Sequence, residues 1–188
     1  MNTFPILETP RLRLRRMQTS DIPSLLKYVN NTKITDQILN FPYPYVEEDA
    51  IFRMHIILQG FKEKQRFVFA ITQKEEDELI GEIGLHLDKA SNRAEMGYWL
   101  GEPFWNQGLM KEAIGPVLKF GFEEVKLHKI FATHFISNPA SGKIMEQNGM
   151  IREAEMKDHY KKQGIYETVF QYRLTKEEFE AFRPRLEQ

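Results

Sequence analysis

The sequence predicts an α+β fold, a mixed central sheet of about seven strands with helices on both faces. Three observations lead there. Short runs of β-branched, aromatic and aliphatic residues occur seven times, at 11–17, 67–71, 79–85, 93–100, 129–136, 150–158 and 165–174. Those at 67–71, 79–85 and 93–100 follow one another across charged or polar turns, which favours antiparallel pairing. Segments of helical periodicity stand before, between and after them, so helices must cover the sheet. The chain has 188 residues, enough for one domain, since a domain of ~150 residues buries roughly 70% of its unfolded surface. Residues 1–188 are read as a single unit.

Each element has a local cause. Arg11 to Arg16 alternates Arg with Leu12 and Leu14, the pattern of a half-buried strand with a solvated face. Thr19, Ser20 and Asp21 supply capping side chains for a helix whose Ile22, Leu25, Leu26 and Val29 share one stripe. Asn30-Asn31 breaks it, and a weaker segment from Ile34 to Leu39 leads into Phe41-Pro42-Tyr43-Pro44-Tyr45. Two prolines stiffen that stretch as an extended loop, whose three aromatics either line a cleft or pack as a lid. Glu47-Glu48-Asp49 suits a helix first turn, with Ile51, Met54, Leu58 and Phe61 facing inward and Gly60 weakening its end. The runs around 67–71 and 79–85 form a hairpin, and Asp88 to Asn92 turns into the third strand. Met110, Ala113, Ile114, Val117 and Leu118 recur at helical spacing, with Pro116 predicting a kink near Glu112. Asn138-Pro139 caps a short helix that ends at Asn148-Gly149. The last two strands join through Tyr160 to Gly164, and Thr175-Lys176-Glu177-Glu178 is a capping box for a helix stopped before Pro184.

Composition narrows the function. Lys and Arg number 26 against 27 Asp and Glu, a net charge of −1, which gives no general attraction for nucleic acid or an anionic membrane. With no cysteine, disulfides, thiolate metal sites and a cysteinyl acyl-enzyme are excluded, so any acyl transfer is direct. No apolar run reaches the ~18 residues of a membrane helix, and no signal segment opens the chain. A soluble cytoplasmic protein is expected. His55, His86, His128, His134 and His159 lack metal-ligand spacing, and the zinc-protease, nucleophile-elbow and P-loop motifs are absent. No metal is expected.

The chain is organised around Gly101 to Phe122, where a strand feeds a glycine-bearing turn and then a helix. The first N–H groups of such a helix lack partners and sit at the positive end of its dipole, a place for a phosphate-bearing ligand. Around it stand Glu95-Met96-Gly97-Tyr98-Trp99-Leu100-Gly101, Phe104-Trp105-Asn106-Gln107-Gly108-Leu109-Met110-Lys111-Glu112-Ala113, Asn138-Pro139-Ala140-Ser141 and Asn148-Gly149-Met150. In that order these segments resemble the GNAT superfamily of N-acetyltransferases, most closely its RimJ/RimL type, whose named members acetylate ribosomal-protein N-termini. The resemblance runs from Thr9 to Tyr172. It implies acetyl-coenzyme A as co-substrate, entering a V-shaped splay between the strands before Gly101 and after Lys129. The family's pyrophosphate motif, Q/R-x-x-G-x-G/A, is matched here by Gly108, with Trp105 at its first position and Met110 at its last. The implied cofactor contacts are Trp99, Leu100, Trp105, Asn106, Gln107, Gly108, Leu109, Met110, Lys111, Asn138 and Ser141.

Acetyl transfer to an amine needs a neutral nucleophile, a polarised carbonyl and a proton for the leaving thiolate. A lysine amine of pKa ~10.4 is only about 0.04% neutral at neutral pH, whereas an α-amine near ~7.8 is roughly 14% neutral. Glu95, on the strand entering the turn, is the candidate base through water; its other reading is a surface carboxylate paired with Arg93. A backbone N–H near Trp99 or Leu100 would hold the carbonyl oxygen, if a bulge frees one. Many GNAT enzymes place a tyrosine acid where Met145 stands here; the resemblance to the RimJ/RimL type, where a serine three residues after the asparagine is typical, implies Ser141 as its replacement, and Tyr160 is a second candidate. Each also has a structural reading, as cap support or packed aromatic. Asn138 is expected to serve as both N-cap and cofactor ligand, its backbone carbonyl and side chain pointing differently. Three functions follow: an N-acetyltransferase acting on an amine such as a ribosomal-protein N-terminus, a non-catalytic acyl-CoA sensor or interaction module, and an acetyltransferase of small polyamine, amino-acid or antibiotic amines. A monomer or homodimer is expected.

Overall fold

The computed structural model describes residues 3–183. One sheet of eight strands forms its centre: β1 (Leu7–Glu8), β2 (Leu12–Arg16), β3 (Arg66–Gln73), β4 (Leu79–Asp88), β5 (Arg93–Leu100), β6 (Lys129–Phe135), β7 (Ile151–Lys162) and β8 (Ile165–Thr175). Their order is β1-β2-β3-β4-β5-β6-β8-β7. The strand not expected is β1, whose two residues pair Leu7 with Leu14 and are too short to show a periodicity. The helices are α1 (Ile22–Val29), α2 (Thr32–Thr35), α3 (Glu47–Lys62), α4 (Leu109–Lys119), α5 (Pro139–Gln147) and α6 (Lys176–Phe182). Thr175 caps α6 as the sequence predicts, its Oγ1 accepting from Glu178 N–H at 3.2 Å; Pro184 lies outside the described residues. No helix among the described residues is long and apolar enough to cross a membrane.

All neighbouring strands are antiparallel except β5 and β6, and that exception shapes the molecule. The parallel pair is joined only over Arg93↔Lys129, Ala94↔Ile130 and Glu95↔Phe131, whereas β4 follows β5 all the way to Leu100. From Met96 onward the sheet splits. The V opens at the carboxyl ends of both strands, where α4 and α5 begin, the usual place for a ligand in a sheet with a parallel pair.

Two apolar layers enclose the sheet. On one face Met110, Ile114, Val117, Met145 and Phe179 pack against Leu12, Leu14, Phe69, Ile83, Leu85 and Met96. On the other, α1, α3 and the loop before α3 bring Leu25, Val29, Phe41, Tyr45, Met54 and Ile57 against Val68, Ala70 and Trp99. Of the inward stripe expected for α3, Met54 is buried and Leu58 and Phe61 pack against the two layers, but Ile51 is 52% exposed, and Ala50, Ile57 and Gly60 are buried instead. Gly60 does not end the helix, which continues to Lys62. It is small because Arg66 lies against it, a Cβ there falling 2.5 Å from Arg66 Cγ. Helical bonding likewise runs on through Pro116, and the departure from α geometry comes later, as a π turn at Phe120–Glu124. The solvated face expected for β2 holds one buried charge. Arg15 forks onto Asp21 at 2.9 and 2.8 Å and also reaches Asp77 at 2.9 Å, so Asp21 serves that ion pair rather than capping α1.

Candidate active site

Strand register sets the floor of the site. Across β3, β4 and β5 the side chains stand in rows: Arg66, His86 and Glu95, then Val68, Gly84 and Gly97, then Ala70, Glu82 and Trp99. Opposed residues of antiparallel strands share a face, so all three rows look toward α1 and α3, while Met96, Tyr98 and Leu100 look toward α4 and α5. The middle row ends in two glycines, leaving a pit. A cavity of about 530 Å³ occupies it and continues into the splay, bounded by Phe41, Glu95, Trp99, Thr133 and Tyr160 among others. Of the loop aromatics, Phe41 lines this cavity, Tyr45 packs in the core, and Tyr43 is exposed. A Cβ on Gly97 would meet only His86 Nε2, at 4.0 Å. Gly97→Val should therefore fold normally and obstruct the pit, raising the acceptor KM by roughly tenfold or more with little change in acetyl-CoA affinity; steady-state rates and calorimetry read the two separately.

Glu95 sits half-buried at the last residue pair before the split. Burial raises its pKa, partly offset by the Thr133 hydroxyl, 3.4 Å away, and by His159. The alternative pairing with Arg93 does not form: Arg93 Nε donates to Asp88 at 3.0 Å and its guanidinium lies 5.4 Å over the Phe131 ring. Tyr160 faces the same group. Its pKa is raised by burial and then by the charge of Glu95, while Thr133 acts in the opposite sense. A bulge brings it there, because between Met156 and Tyr160 β7 uses four residues against two on β8, from Val169 to Glu167. Glu95, Thr133 and Tyr160 thus form one cluster.

Ser141 lies elsewhere, on the α4 and α5 side of β5. Its N–H bonds to the capping Asn138 Oδ1 at 3.2 Å, and its hydroxyl is 2.8 Å from the hydroxyl of Tyr98. Burial pushes the Tyr98 pKa well up, the bond to Ser141 opposing it. Tyr98 was not singled out from the sequence, although its even position on β5 already placed it opposite Glu95. Met145, where the tyrosine was missing, is buried and packs in the core. Both acceptors of Asn138 are turned to the Ser141 N–H, its carbonyl also at 3.2 Å, so the carbonyl and side chain do not point to separate tasks.

The strand-edge donors expected near Trp99 or Leu100 need no bulge. Register between β4 and β5 is unbroken from Arg93 to Leu100, and the bond from Gly101 N–H to Ile80 C=O, 2.8 Å, sets its phase. Residues 95, 97 and 99 therefore exchange bonds with β4, and the N–H groups of Tyr98 and Leu100 point from the opposite edge, into the splay. Trp99 N–H belongs to the ladder. The Leu100 carbonyl accepts from Trp105 Nε1 at 2.6 Å, which ties the turn to the strand end.

The turn itself is left-handed twice, at Asn106 (φ 61°) and Gly108 (φ 75°). Glu112 N–H is bonded back to Gly108 C=O at 3.0 Å, leaving the N–H groups of Leu109, Met110 and Lys111 without an intrahelical acceptor. The side chains of Leu109 and Met110 are buried in the core, so these two offer backbone only; Asn106, Gln107 and Lys111 are exposed. Sequence reasoning missed Arg11 here. It donates to Gln107 C=O at 3.0 Å and to Glu112 Oε2 at 2.7 Å, a cation beside the helix start that its place in β2's approach gave no reason to expect. Glu112 also accepts from Thr9 Oγ1 at 2.5 Å. Burial pushes its carboxyl up, but bonds from Thr9 and Arg11 outweigh that and hold it below the usual range.

A splayed β5/β6 pair, free strand-edge donors and an open helix start match what a CoA-dependent acyltransferase needs, and residues 11–151 match the model of the acetyltransferase (GNAT) domain. The chain belongs to the GNAT acetyltransferase family. Its relatives in this family include an uncharacterized N-acetyltransferase, p20, of Bacillus licheniformis, 31% identical over 92% of this chain and 97% of that protein. The ribosomal-protein-serine acetyltransferase of Escherichia coli is 29% identical over 90% of this chain and 96% of its own. Among solved GNAT structures, RimL, a ribosomal L7/L12 α-N-protein acetyltransferase in complex with coenzyme A, superposes with a TM-score of 0.83 at 22% identity, covering 91% of this chain and 98% of its own. This GNAT protein is thus an N-acetyltransferase with the family's fold.

Proposed function

We propose that this protein transfers acetyl from acetyl-CoA directly to a primary amine, with a protein N-terminal α-amine as the favoured acceptor. One observation carries the reading: a carboxylate with no ion pair among the described residues, Glu95, stands where β5 and β6 part, with a cavity on one side and an open helix start on the other. The residues fit the cofactor. A Cβ at Gly108 would find only Arg11 Nη2, 3.7 Å away, so the backbone is open to a pyrophosphate on the N–H groups of Leu109 to Lys111. Bound there, acetyl-CoA supplies an activated acetyl thioester. Tyr98 and Leu100 N–H groups then hold the acetyl oxygen, Glu95 takes the proton from the acceptor amine directly or through water, and the Ser141–Tyr98 hydroxyl pair returns a proton on the cofactor side. The base belongs to the acceptor cavity and the acid to the opposite face, which suits a reaction carried through the sheet.

The acceptor class rests on two supports. An α-amine is far more often neutral than a lysine amine, so one modest base suffices. The ribosomal-protein-serine acetyltransferase of Escherichia coli aligns over 90% of the chain. The chain is read as one catalytic domain, cytoplasmic, monomeric or homodimeric. Turnover of acetyl-CoA with a panel of peptides and small amines tests the reading; acetylation of polyamines or antibiotics alone would move the acceptor class, and binding without turnover would make it a sensor.

Ser141→Ala should lower turnover by about tenfold to a hundredfold while acetyl-CoA affinity holds within a few-fold, because a thiol of pKa ~8.5 leaves with little help. Tyr98→Phe should cost a similar amount, and the double variant little more than the worse single one, since both remove the same proton path. Tyr160→Phe should matter less. If Ser141→Ala loses cofactor affinity in step with rate, the serine only supports the cap.

A further inference from the structure

The cavity around Glu95 contains a second charge that acetyl transfer does not use. Arg66 starts β3, in the row that runs through His86 to Glu95. Its stem is pressed against Gly60 of α3, where a Cβ would lie 2.5 Å from Cγ and 2.6 Å from Nε, and the residue lines the cavity. Arg66 has no carboxylate partner among the described residues, and its Nε is buried without an acceptor. The other charges facing the cavity cancel or are silent. Arg53 donates through Nε to both oxygens of Glu82, at 3.2 and 3.0 Å, and Glu82 is 2% exposed. His86 is held down to about 4, by burial and then by the charges of Arg66 and Arg53, so it is neutral at neutral pH. What remains, among the described residues, is one unpaired anion, Glu95, and one unpaired cation, Arg66, separated by a neutral ring. Strands lie ~4.8 Å apart, so their Cα atoms are ~10 Å apart across β4. Trp99 Nε1, also lining the cavity, is a second buried donor with no acceptor.

We infer that the acceptor is an amine that also carries a carboxylate, with the amine at Glu95 and the carboxylate on Arg66. The inference rests on the acetyltransferase reading above and adds the acceptor's second handle. Buried donors without acceptors are costly, and a guanidinium pairs with a carboxylate through two parallel bonds that few other acceptors match. Two sources have this chemistry, a peptide N-terminus with an acidic residue near it and a free amino acid.

Matched acceptors separate them. With acetyl-CoA and the full chain, kcat/KM is measured for short peptides beginning Ser-Asp and Ser-Asn with amidated C-termini, and for free serine against serine amide. The expected result is a preference of roughly tenfold or more for the carboxylate member of one pair, and the pair that shows it names the source. Arg66→Gln should bring that ratio close to one, through the KM of the carboxylate acceptor, while calorimetry finds acetyl-CoA affinity unchanged. Because Arg66 packs on Gly60, a Gln variant that misfolds leaves the parent's own ratios to decide. Equal kcat/KM within both pairs, or a preference that survives Arg66→Gln, overturns the inference and leaves the acetyltransferase intact. Absence of acetyl-CoA binding and of turnover with every amine overturns both.

Discussion

Glu95→Gln should lower the rate of acetyl transfer by about a hundredfold at neutral pH, with the loss greatest where the carboxyl is ionised and the amine still mostly protonated, shrinking in stronger acid and partly recovered in alkali. General-base help is typically worth ~10²–10⁴, and an α-amine that is already roughly 14% neutral calls on the lower part of that range. Burial raises the Glu95 pKa, so the parent's rate climbs as the carboxyl ionises and climbs again as the amine does. The variant keeps only the second limb. Stability should move the other way. A carboxylate whose folded pKa lies above its unfolded value destabilises the fold when ionised, a penalty that is complete above the folded pKa and disappears as pH falls below the unfolded one. Glutamine has no charge to bury, so the variant should melt at or above the parent's temperature at neutral pH and converge with it in acid. A pH–rate profile beside a melting curve checks both. Equal rates and parallel profiles would make Glu95 a solvated surface group and send the base role elsewhere.

Gly108→Val should abolish the stabilisation that acetyl-CoA gives. A ligand at ~100 times its dissociation constant adds roughly 2.7 kcal/mol to a site that only the folded chain presents, and thermal shift measures it. Two physical effects act together at this position. The left-handed φ of 75° is a genuine outlier for a β-branched residue, and any side chain enters the space in front of the first N–H groups of α4, where the nearest described atom beyond the adjoining residues, Arg11 Nη2, is 3.7 Å from a Cβ. Gly108→Asn separates them, because Asn tolerates the left-handed region but still fills the space. Normal melting of the Asn variant with no acetyl-CoA shift means occlusion, and a retained shift means that only backbone strain matters. An unchanged shift in Gly108→Val would remove the phosphate-cradle assignment altogether.

How far the site was legible in the sequence differs from residue to residue. Gly108 was readable because a strand, a glycine and an amphipathic helix are neighbours in the chain, and a helix start advertises its own unpaired donors. Asn138 was readable as a cap for the same reason, its partner Ser141 being three residues away. Opposite faces for Glu95 and Tyr98 follow from strand alternation alone. Tyr160 was nominated as an acid beside Ser141, yet it stands with Glu95, because a bulge in β7 changes which way later side chains point. No local pattern announces such a bulge.

By itself the sequence determined most element types, the α+β class and the glycine-bearing turn ahead of α4, since periodicity, caps and turns depend on residues a few positions apart. Only the tertiary structure decided the rest. It brought Arg66 and His86 into line with Glu95 through the register of three strands, and seated Arg11 beside Gln107 and Glu112 from about a hundred positions earlier in the chain. It also parted β5 from β6 after three residue pairs, turning two strand-edge N–H groups into free donors with no bulge. Register, edge and splay depend on which strands meet and how long they stay together. Those are properties of the packed sheet, where a shift of one residue in any strand would send Glu95 to the other face.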